Sequence, residues 1–379
     1  MDVEKKIPEI RFKGFDGEWK LFSLGELGSV ATNKRIFIHE TSLIGDVPFY
    51  KIGTFGREPK LFISQELFDD YKKRYPFPEK GDLLFSVIGS IGRVVEYTGE
   101  DEYFQDSNVV WLKHDGAIVN SFLKQFYSIV EWEGIEGSTI KHLYNRTILG
   151  TKIQTPSREE QTQIGNTFQK LDSLINQHQQ KHDKLSNIKK AMLERMFPKQ
   201  GETIPEIRFK GFNGEWEKKE LRELCTYHSS SLTVNDAMSN GKYKLYDANK
   251  CIGYTERNIQ SNDYITIIKD GSGVGRVRIL PKETSFIATM GAIKTKDSSL
   301  YFLYCCFLKI DFSKHISGAT IPHVYFRDYG LEVFRVPTFE EQVVIGDYFQ
   351  KLDKLINQHQ QQITKLNNIK QACLKKMFV

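Results

Sequence analysis

The chain has 379 residues, of which 40% are hydrophobic, 12% aromatic and 27% charged. This composition excludes a disordered polymer and provides for two or three domains with separate cores. The net charge of +5 and pI near 8.7 permit a polyanionic partner but are too small to demand one. No apolar run approaches the ~20 residues that a membrane helix needs; the longest covers residues 301–308, and residues 1–10 lack a signal-peptide core, so a cytoplasmic protein with no membrane role is expected.

In chain order, residues 7–19 read IPEIRFKGFDGEW, a strip that returns 197 positions later at 204–216 as IPEIRFKGFNGEW. The stretch that follows, with the strip, forms a first segment over residues 1–155. Its glycine-punctuated, β-branched runs, such as GDLLFSVIGSIGRVVEY (81–97) and SNVVWLK (107–113), predict strands and turns. SFLKQFYSIVEW (121–132) predicts an amphipathic helix. Basic, amide and hydroxyl side chains stand beside aromatics at Arg57, at Lys72, Lys73 and Arg74 within YKKRY, at Ser90 and Arg93, and at Lys141, His142, Asn145 and Arg146 within KHLYNR. Placed in loops, as expected here, such side chains suit DNA phosphates and base edges.

Residues 156–198 form the next segment. PSREEQ (156–161) offers Ser157 as an N-cap with Glu160 as its reciprocal capping partner, and the neighbouring acids suit the positive helix end. Apolar or seam-type residues then alternate at spacings of four and three: Ile164, Phe168, Leu171, Ile175, His178, His182, Leu185, Ile188, Met192 and Met196. That is a heptad seam, the mark of a coiled coil, in a helix about 60 Å long at 1.5 Å per residue.

The second strip opens a third segment, residues 199–336. DYITIIKDGSGVGRVRIL (263–280) and TSFIATMGAI (284–293) predict strands, and SSLYFLYCCFLKI (298–310) a helix. Its candidate nucleic-acid contacts are Lys250, Arg257, Asn258, Lys269, Ser272, Arg276, Arg278, His323 and Arg327. The last segment, 337–379, starts with PTFEEQ (Thr338 as cap, Glu341 three residues on) and carries the matching seam Ile345, Phe349, Leu352, Ile356, His359, Ile363, Leu366, Ile369, Cys373 and Met377.

Both halves therefore repeat one order of parts. FQKLDSLINQHQQ (168–180) recurs as FQKLDKLINQHQQ (349–361), and GSTIKHLY (137–144) as GATIPHVY (318–325), both offset by 181. The fall from 197 to 181 makes the second divergent stretch 16 residues shorter. Like frames around unlike inserts predict one scaffold carrying two different reading heads. Arg93 matches Arg276 and His142 matches His323, while Arg11 and Lys13 match Arg208 and Lys210. Residues shared by both halves are expected to hold phosphates or scaffold, and base readout is expected from residues unique to each head. Trp19 and Trp216 are expected to serve folding or partner docking. The two long helices most simply pair with each other, antiparallel if the halves are related by a pseudo-twofold axis. In that case His178 and His359 meet as a polar pair that sets register.

Catalytic signatures are missing. There is no G-x-x-x-x-G-K-[ST], H-E-x-x-H, G-x-S-x-G or [ND]-P-P-[YF] pattern and no persuasive nuclease cluster. GSGVGR (271–276) lacks dinucleotide-loop spacing and reads as a tight turn between strands or a backbone approach to phosphate. The five cysteines, Cys225, Cys251, Cys305, Cys306 and Cys373, contain no C-x-x-C pair, so neither a disulfide framework nor a metal site is expected.

Two divergent stretches, each followed by a long helix opening P-[ST]-x-x-E-Q, together with PEIRFKGFxGEW, G(S/A)TIxH(L/V)Y and FQKLDxLI, resemble the specificity subunit of type I restriction–modification enzymes, HsdS. The resemblance covers essentially the whole chain. It implies an α+β protein in which two α/β target recognition domains are separated by two long antiparallel coiled-coil helices with pseudo-twofold symmetry. Each domain would read one half of an asymmetric, bipartite site in double-stranded DNA, with the helices setting the gap like a ruler. Two modification (methyltransferase) subunits would bring S-adenosylmethionine and adenine methylation, and two restriction (motor-nuclease) subunits would bring ATP and Mg. This chain would bind no cofactor and catalyse nothing. A stand-alone pseudo-dimeric DNA-binding regulator is the competing reading, and a coiled-coil scaffold for proteins alone is a third.

Overall fold

The computed structural model describes residues 7–105, 107–137, 141–257 and 260–379. Its contacts gather the chain into two compact units, Met1–Gln177 with Gln362–Val379, and His178–Gln361.

The first unit runs β1 (Lys20–Ser23), α1 (Leu24–Leu27), β2 (Ser29–Ala31), β3 (Val47–Tyr50), β4 (Leu61–Ile63) and α2 (Gln65–Arg74). It continues through β5 (Leu83–Ser86), β6 (Val94–Glu96), β7 (Tyr103–Phe104), β8 (Val109–Lys113), α3 (Asn120–Ile129), α4 (Asn145–Gly150) and β9 (Lys152–Thr155) into the long helix α5 (Arg158–Arg195). Its sheets have the orders β1-β9, β2-β8-β5-β6 and β4-β3-β7, antiparallel except for the β3–β7 pair. Strands β5 and β8 are buried along almost their whole length. Phe85, Val110 and Leu112 pack on one side against Phe122, Leu123 and Tyr127 of α3. Leu84, Val109 and Trp111 pack on the other against Phe55 and Phe104, as the period-two alternation of a strand requires.

The second unit runs β10 (Glu217–Glu220), α6 (Leu221–Leu224), β11 (Cys225–Ser229), β12 (Tyr243–Tyr246), β13 (Cys251–Thr255), β14 (Tyr264–Ile268), β15 (Val277–Leu280), β16 (Thr284–Phe286) and β17 (Met290–Thr295). Then come α7 (Leu300–Leu308), α8 (Phe326–Tyr329), β18 (Val333–Val336) and α9 (Phe339–Met377). Its sheet orders, β10-β18, β11-β17-β14-β15 and β13-β12-β16, repeat those of the first unit strand for strand, including a parallel pair at β12–β16. Among the described residues the differences are α2, which follows β4 where no helix joins β13 to β14, and a short 3-10 turn at Phe312–His315 between α7 and α8 that the first unit lacks. Cys225, Cys305 and Cys306 are core residues, and burial pushes the Cys225 thiol up to about 12, so these cysteines serve as small apolar side chains.

Each unit draws on both long helices, and within each the two segments run antiparallel. In the first unit Lys370 Nζ lies 2.6 Å from Asp172 Oδ1 and Phe378 packs on Phe168. In the second, Lys189 Nζ lies 2.5 Å from Asp353 Oδ1, Phe197 packs on Phe349, and His178 Nδ1 meets His359 Nδ1 at 2.9 Å. Phe349, Leu352 and Ile363 are buried, and Leu171, Ile175, Leu185, Ile356 and Leu366 half-buried, as a narrow two-helix seam allows. Beyond Leu366 the seam steps by one residue at Ile369 and Cys373 and returns at Met377, which is buried. Ile369 is exposed, Lys370 takes the inward place, and Leu374 is buried instead. A straight helix drifts ~20° per heptad against a 3.5-residue repeat, and this last stretch packs on the head core rather than only on its partner helix.

The strips close onto the helix ends. Ile207 N–H donates to the Arg195 carbonyl at 2.9 Å, at the end of α5, and Ile10 N–H donates to the Lys376 carbonyl at 2.9 Å, at the end of α9. Arg11 forks onto Glu160 at 2.8 and 2.7 Å, and Arg208 onto Glu341 at the same distances. This corrects the capping-box expectation. Ser157 Oγ does accept from the Glu160 N–H, but the Glu160 and Glu341 carboxylates turn to the strip arginines. Bidentate charged hydrogen bonds outcompete a single bond back to the cap.

Candidate nucleic-acid interface

In the first unit β5 leads into the loop 87–93, closed by Gly92 N–H to the Ser86 carbonyl and Ser86 N–H to the Arg93 carbonyl. Gly92 has a φ of +80° and lies where a Cβ would stand 3.1 Å from the Trp132 indole nitrogen. Trp132 is not part of the helix expected over 121–132; α3 ends at Ile129, and the indole stacks on Phe85. The loop carries Ser90, exposed, and is tied to the chain around His142 by a bridge between Ile88 and His142 and by Leu143 N–H to the Val87 carbonyl at 2.8 Å.

The second unit builds the same corner from different residues. β14 and β15 flank the loop 269–276, closed by Gly275 N–H to the Ile268 carbonyl. Asp270 bridges His323, and Val324 N–H donates to the Lys269 carbonyl at 3.0 Å. His323 Nδ1 lies 2.7 Å from Asp270 Oδ1. In the first unit the position of Asp270 is held by Ile88, and His142 Nδ1 is buried with no partner among the described residues.

From each corner the chain turns into a short helix and presents three side chains in a row, the two rings tilted at 35° in the first unit and stacked in the second. The His142 and Tyr144 rings have centroids 4.5 Å apart, with the Arg146 guanidinium 5.8 Å from the Tyr144 ring. The His323 and Tyr325 rings are 6.2 Å apart at 22°, with Arg327 at 4.9 Å. The tyrosines were absent from the candidates read from sequence, although H-x-Y-x-R recurs at the 181-residue offset and marks them.

The other candidates divide into framework and surface. Arg93 donates to the Phe55 carbonyl at 3.0 Å. Arg276 bonds the Ala248 carbonyl at 2.5 Å and Asn249 Oδ1 at 2.7 Å. Arg278 lies on β15 and bonds the Asn249 and Asp247 carbonyls, and burial, then Arg276, lowers its proton affinity. These arginines pin the loop after the third strand of each unit. Arg57 and Lys250 are exposed on those same loops, beside Phe55 and Asn249. Lys269 pairs with Asp270 at 3.4 Å, and Ser272, Lys141 and Asn145 are exposed near the corners.

Lys72, Lys73 and Arg74 correct the expectation of loop placement, since they form the last turn of α2. Ser64 caps its start and Phe68 buries one face, so the cations complete the dipole at its end. Lys72 pairs with Asp101, and Arg74 with Asp70. Asn145 and Arg146 lie in α4, and Arg327 in α8, rather than in loops. Arg257 is far along β13's exit, paired with Asp236 at 3.0 Å, and Asn258 lies outside the described residues.

Residues 16–187 and 213–368 match the type I restriction modification DNA specificity domain. The chain belongs to this family. Among curated relatives, a putative type I restriction enzyme specificity subunit of Haemophilus influenzae is 47% identical over 158 residues, 41% of this chain and 41% of that protein. The matched stretch is thus less than half of that relative. The type I restriction enzyme MjaVIII specificity subunit of Methanocaldococcus jannaschii is 32% identical over 136 residues, 35% of this chain and 32% of that one. The crystal structure of a type I restriction-modification system S subunit from M. genitalium covers 98% of this chain and 99% of its own, with TM-score 0.66 at 18% identity, so the family's fold is shared along the chain. No helix among the described residues is long and apolar enough to cross a membrane.

Proposed function

We propose that this chain is the non-catalytic, DNA-addressing subunit of a type I restriction–modification complex. Each head takes one half of an asymmetric bipartite site, and the helical segments set the number of unread base pairs between the halves. The observation that carries this reading is the strand-for-strand repetition of one topology with unlike loops: two frames of one kind, presenting different surfaces, suit two different half-sites. α5 has 38 residues, about 57 Å, longer than the ~34 Å of one DNA turn.

Modification subunits bring S-adenosylmethionine, and restriction subunits bring ATP and Mg. Adenine must leave the helical stack before it is methylated, which separates address from chemistry. Docking of two modification subunits is supported by Leu174 and Leu355, matched at the 181 offset and both left exposed on their helices.

Methylome sequencing of a host carrying this gene with its partner genes tests the reading. The expected result is a split, asymmetric motif methylated at adenine. Exchanging residues 20–150 for another first head is expected to change one half of that motif only. A change in both halves, or no motif, overturns the proposal.

A further inference from the structure

The side chains repeated between the heads fall into two kinds. Leu143 and Val324 are buried, so the core accounts for them. Tyr144 and Tyr325 are 43% and 44% exposed, and the Arg146 and Arg327 side chains are 74% and 80% exposed. The core does not account for these, and holding a long side chain in one place on the surface costs rotamer entropy. Yet both heads hold an imidazole, a phenol and a guanidinium in the same order beside a glycine-bearing loop.

We propose that the two ladders, His142–Tyr144–Arg146 and His323–Tyr325–Arg327, are sequence-independent clamps on the DNA backbone, one per head. The inference rests on the DNA-addressing reading above. A guanidinium laid on an aromatic face keeps its N–H edges turned outward and loses less freedom when it binds. Its planar fork matches a phosphate, and the neighbouring phenol adds a hydroxyl of the kind that contacts backbone oxygens. Both arginines hold exposed carboxylate neighbours, Glu136 beside Arg146 and Asp328 beside Arg327. Such exposed pairs contribute little in water and yield to a doubly contacted phosphate.

Phosphate rather than base is chosen because identical ladders in two unlike heads would force the same base into both half-sites, whereas phosphates occur in both regardless of sequence. The histidine acts as a positioning residue, backing the tyrosine and anchoring it through its bridge to the glycine loop.

The test uses the full chain and fluorescence anisotropy with two duplexes, one of random sequence and one bearing the target found by methylome sequencing, from 50 to 200 mM KCl. Arg146→Ala and Arg327→Ala are each expected to weaken both duplexes by the same factor, about tenfold for one charge-assisted bond. Each is also expected to reduce the log–log salt slope by about 0.9, and the methylated motif stays unchanged. Tyr144→Ala and Tyr325→Ala weaken both duplexes without that change in slope, and Arg146→Lys restores the slope but not the full affinity. Unchanged melting temperatures verify folding, as expected for exposed positions.

A variant that changes a base of the motif overturns the clamp in favour of base reading. A variant with unaltered affinity and slope, while the parent binds, overturns the clamp alone. A variant that loses only its modification subunit makes the ladder a protein-docking face. A parent chain with no salt-dependent binding to either duplex overturns the DNA-addressing reading itself.

Discussion

Glu160 and Glu341 show how one residue in P-[ST]-x-x-E-Q joins separate parts of a unit. Each is about 1% exposed and receives a two-pronged hydrogen bond from a strip arginine. The next residue completes the joint. Gln161 donates to the Pro156 carbonyl at 3.1 Å and accepts from the Val119 N–H at 3.0 Å. Gln342 does the same with Pro337 at 3.0 Å and Ser299 at 3.2 Å. Strip, helix start and head are thereby fastened at one point in each unit. Glu160→Ala leaves Arg11 with only the Gly17 carbonyl and no bonded carboxylate, and is expected to cost about 3 kcal/mol in urea unfolding. Glu96→Ala, which breaks only the surface pair with Lys124, is expected to cost less than about 1 kcal/mol. Equal losses from the two changes would reject the joint. The repeated strip is explained at this scale too: Arg11 and Arg208 belong to the framework, and Trp19 and Trp216 pack in the core against Phe122 and Phe378, and against Phe302 and Phe197.

Among the elements, the long helices depend on close approach and on register. A Cβ on Gly165 of α5 would stand 2.7 Å from Ser121 Cβ and 3.0 Å from the Ser121 backbone, and one on Gly346 of α9 2.8 Å from Ser299 Oγ. Gly165→Ala gains about 1 kcal/mol of helix propensity but pushes α5 off the start of α3. A net fall in melting temperature is therefore expected, and a rise would show that the contact is soft. The His178–His359 contact needs one nitrogen to donate and the other to accept, so it is lost when both rings are protonated. Burial first, then His178, Lys181 and His182, lowers the proton affinity of His359. The folded state then binds protons less readily than the unfolded state, so this contribution is complete above the ordinary histidine value of about 6.5 and is lost as pH falls from there through the lowered folded value. Melting temperature is expected to drop between pH 7.5 and 5.5, and His359→Leu to reduce that drop while leaving the DNA motif unchanged. Both helices were legible from the 3.5-residue period because that signal is local and long. α2 was not: its charged turn looks like a loop until Phe68 and the Ser64 cap are seen to hold it. The parallel pairs β3–β7 and β12–β16 join strands about 50 and 40 residues apart, and no local pattern states such a pairing.

For the whole molecule, the repeated joints point to a chain order that is interchangeable. Phe197, after α5, connects to Ile204 of the second strip through residues 198–203. Phe378, after α9, stands in the matching place beside the first strip, where Ile10 N–H meets the Lys376 carbonyl as Ile207 N–H meets that of Arg195. Joining Val379 to Met1 would put seven residues, 379 and 1–6, where the existing link has six, so no added linker is needed. The natural link can then be opened after Gly201, a position at φ +89° with open space where a Cβ would sit. Every strand pairing and both Arg–Glu joints survive this reordering. The permuted chain is expected to fold, to melt within a few degrees of the parent, and to direct methylation to the same motif. Its melting temperature and methylome decide the matter. A permutant that unfolds would mean that the turn in the 198–203 link, closed by Glu202 N–H to the Lys199 carbonyl at 3.0 Å, is needed for folding. A permutant that folds but reads a different motif would mean that chain order, rather than the two heads, determines the address.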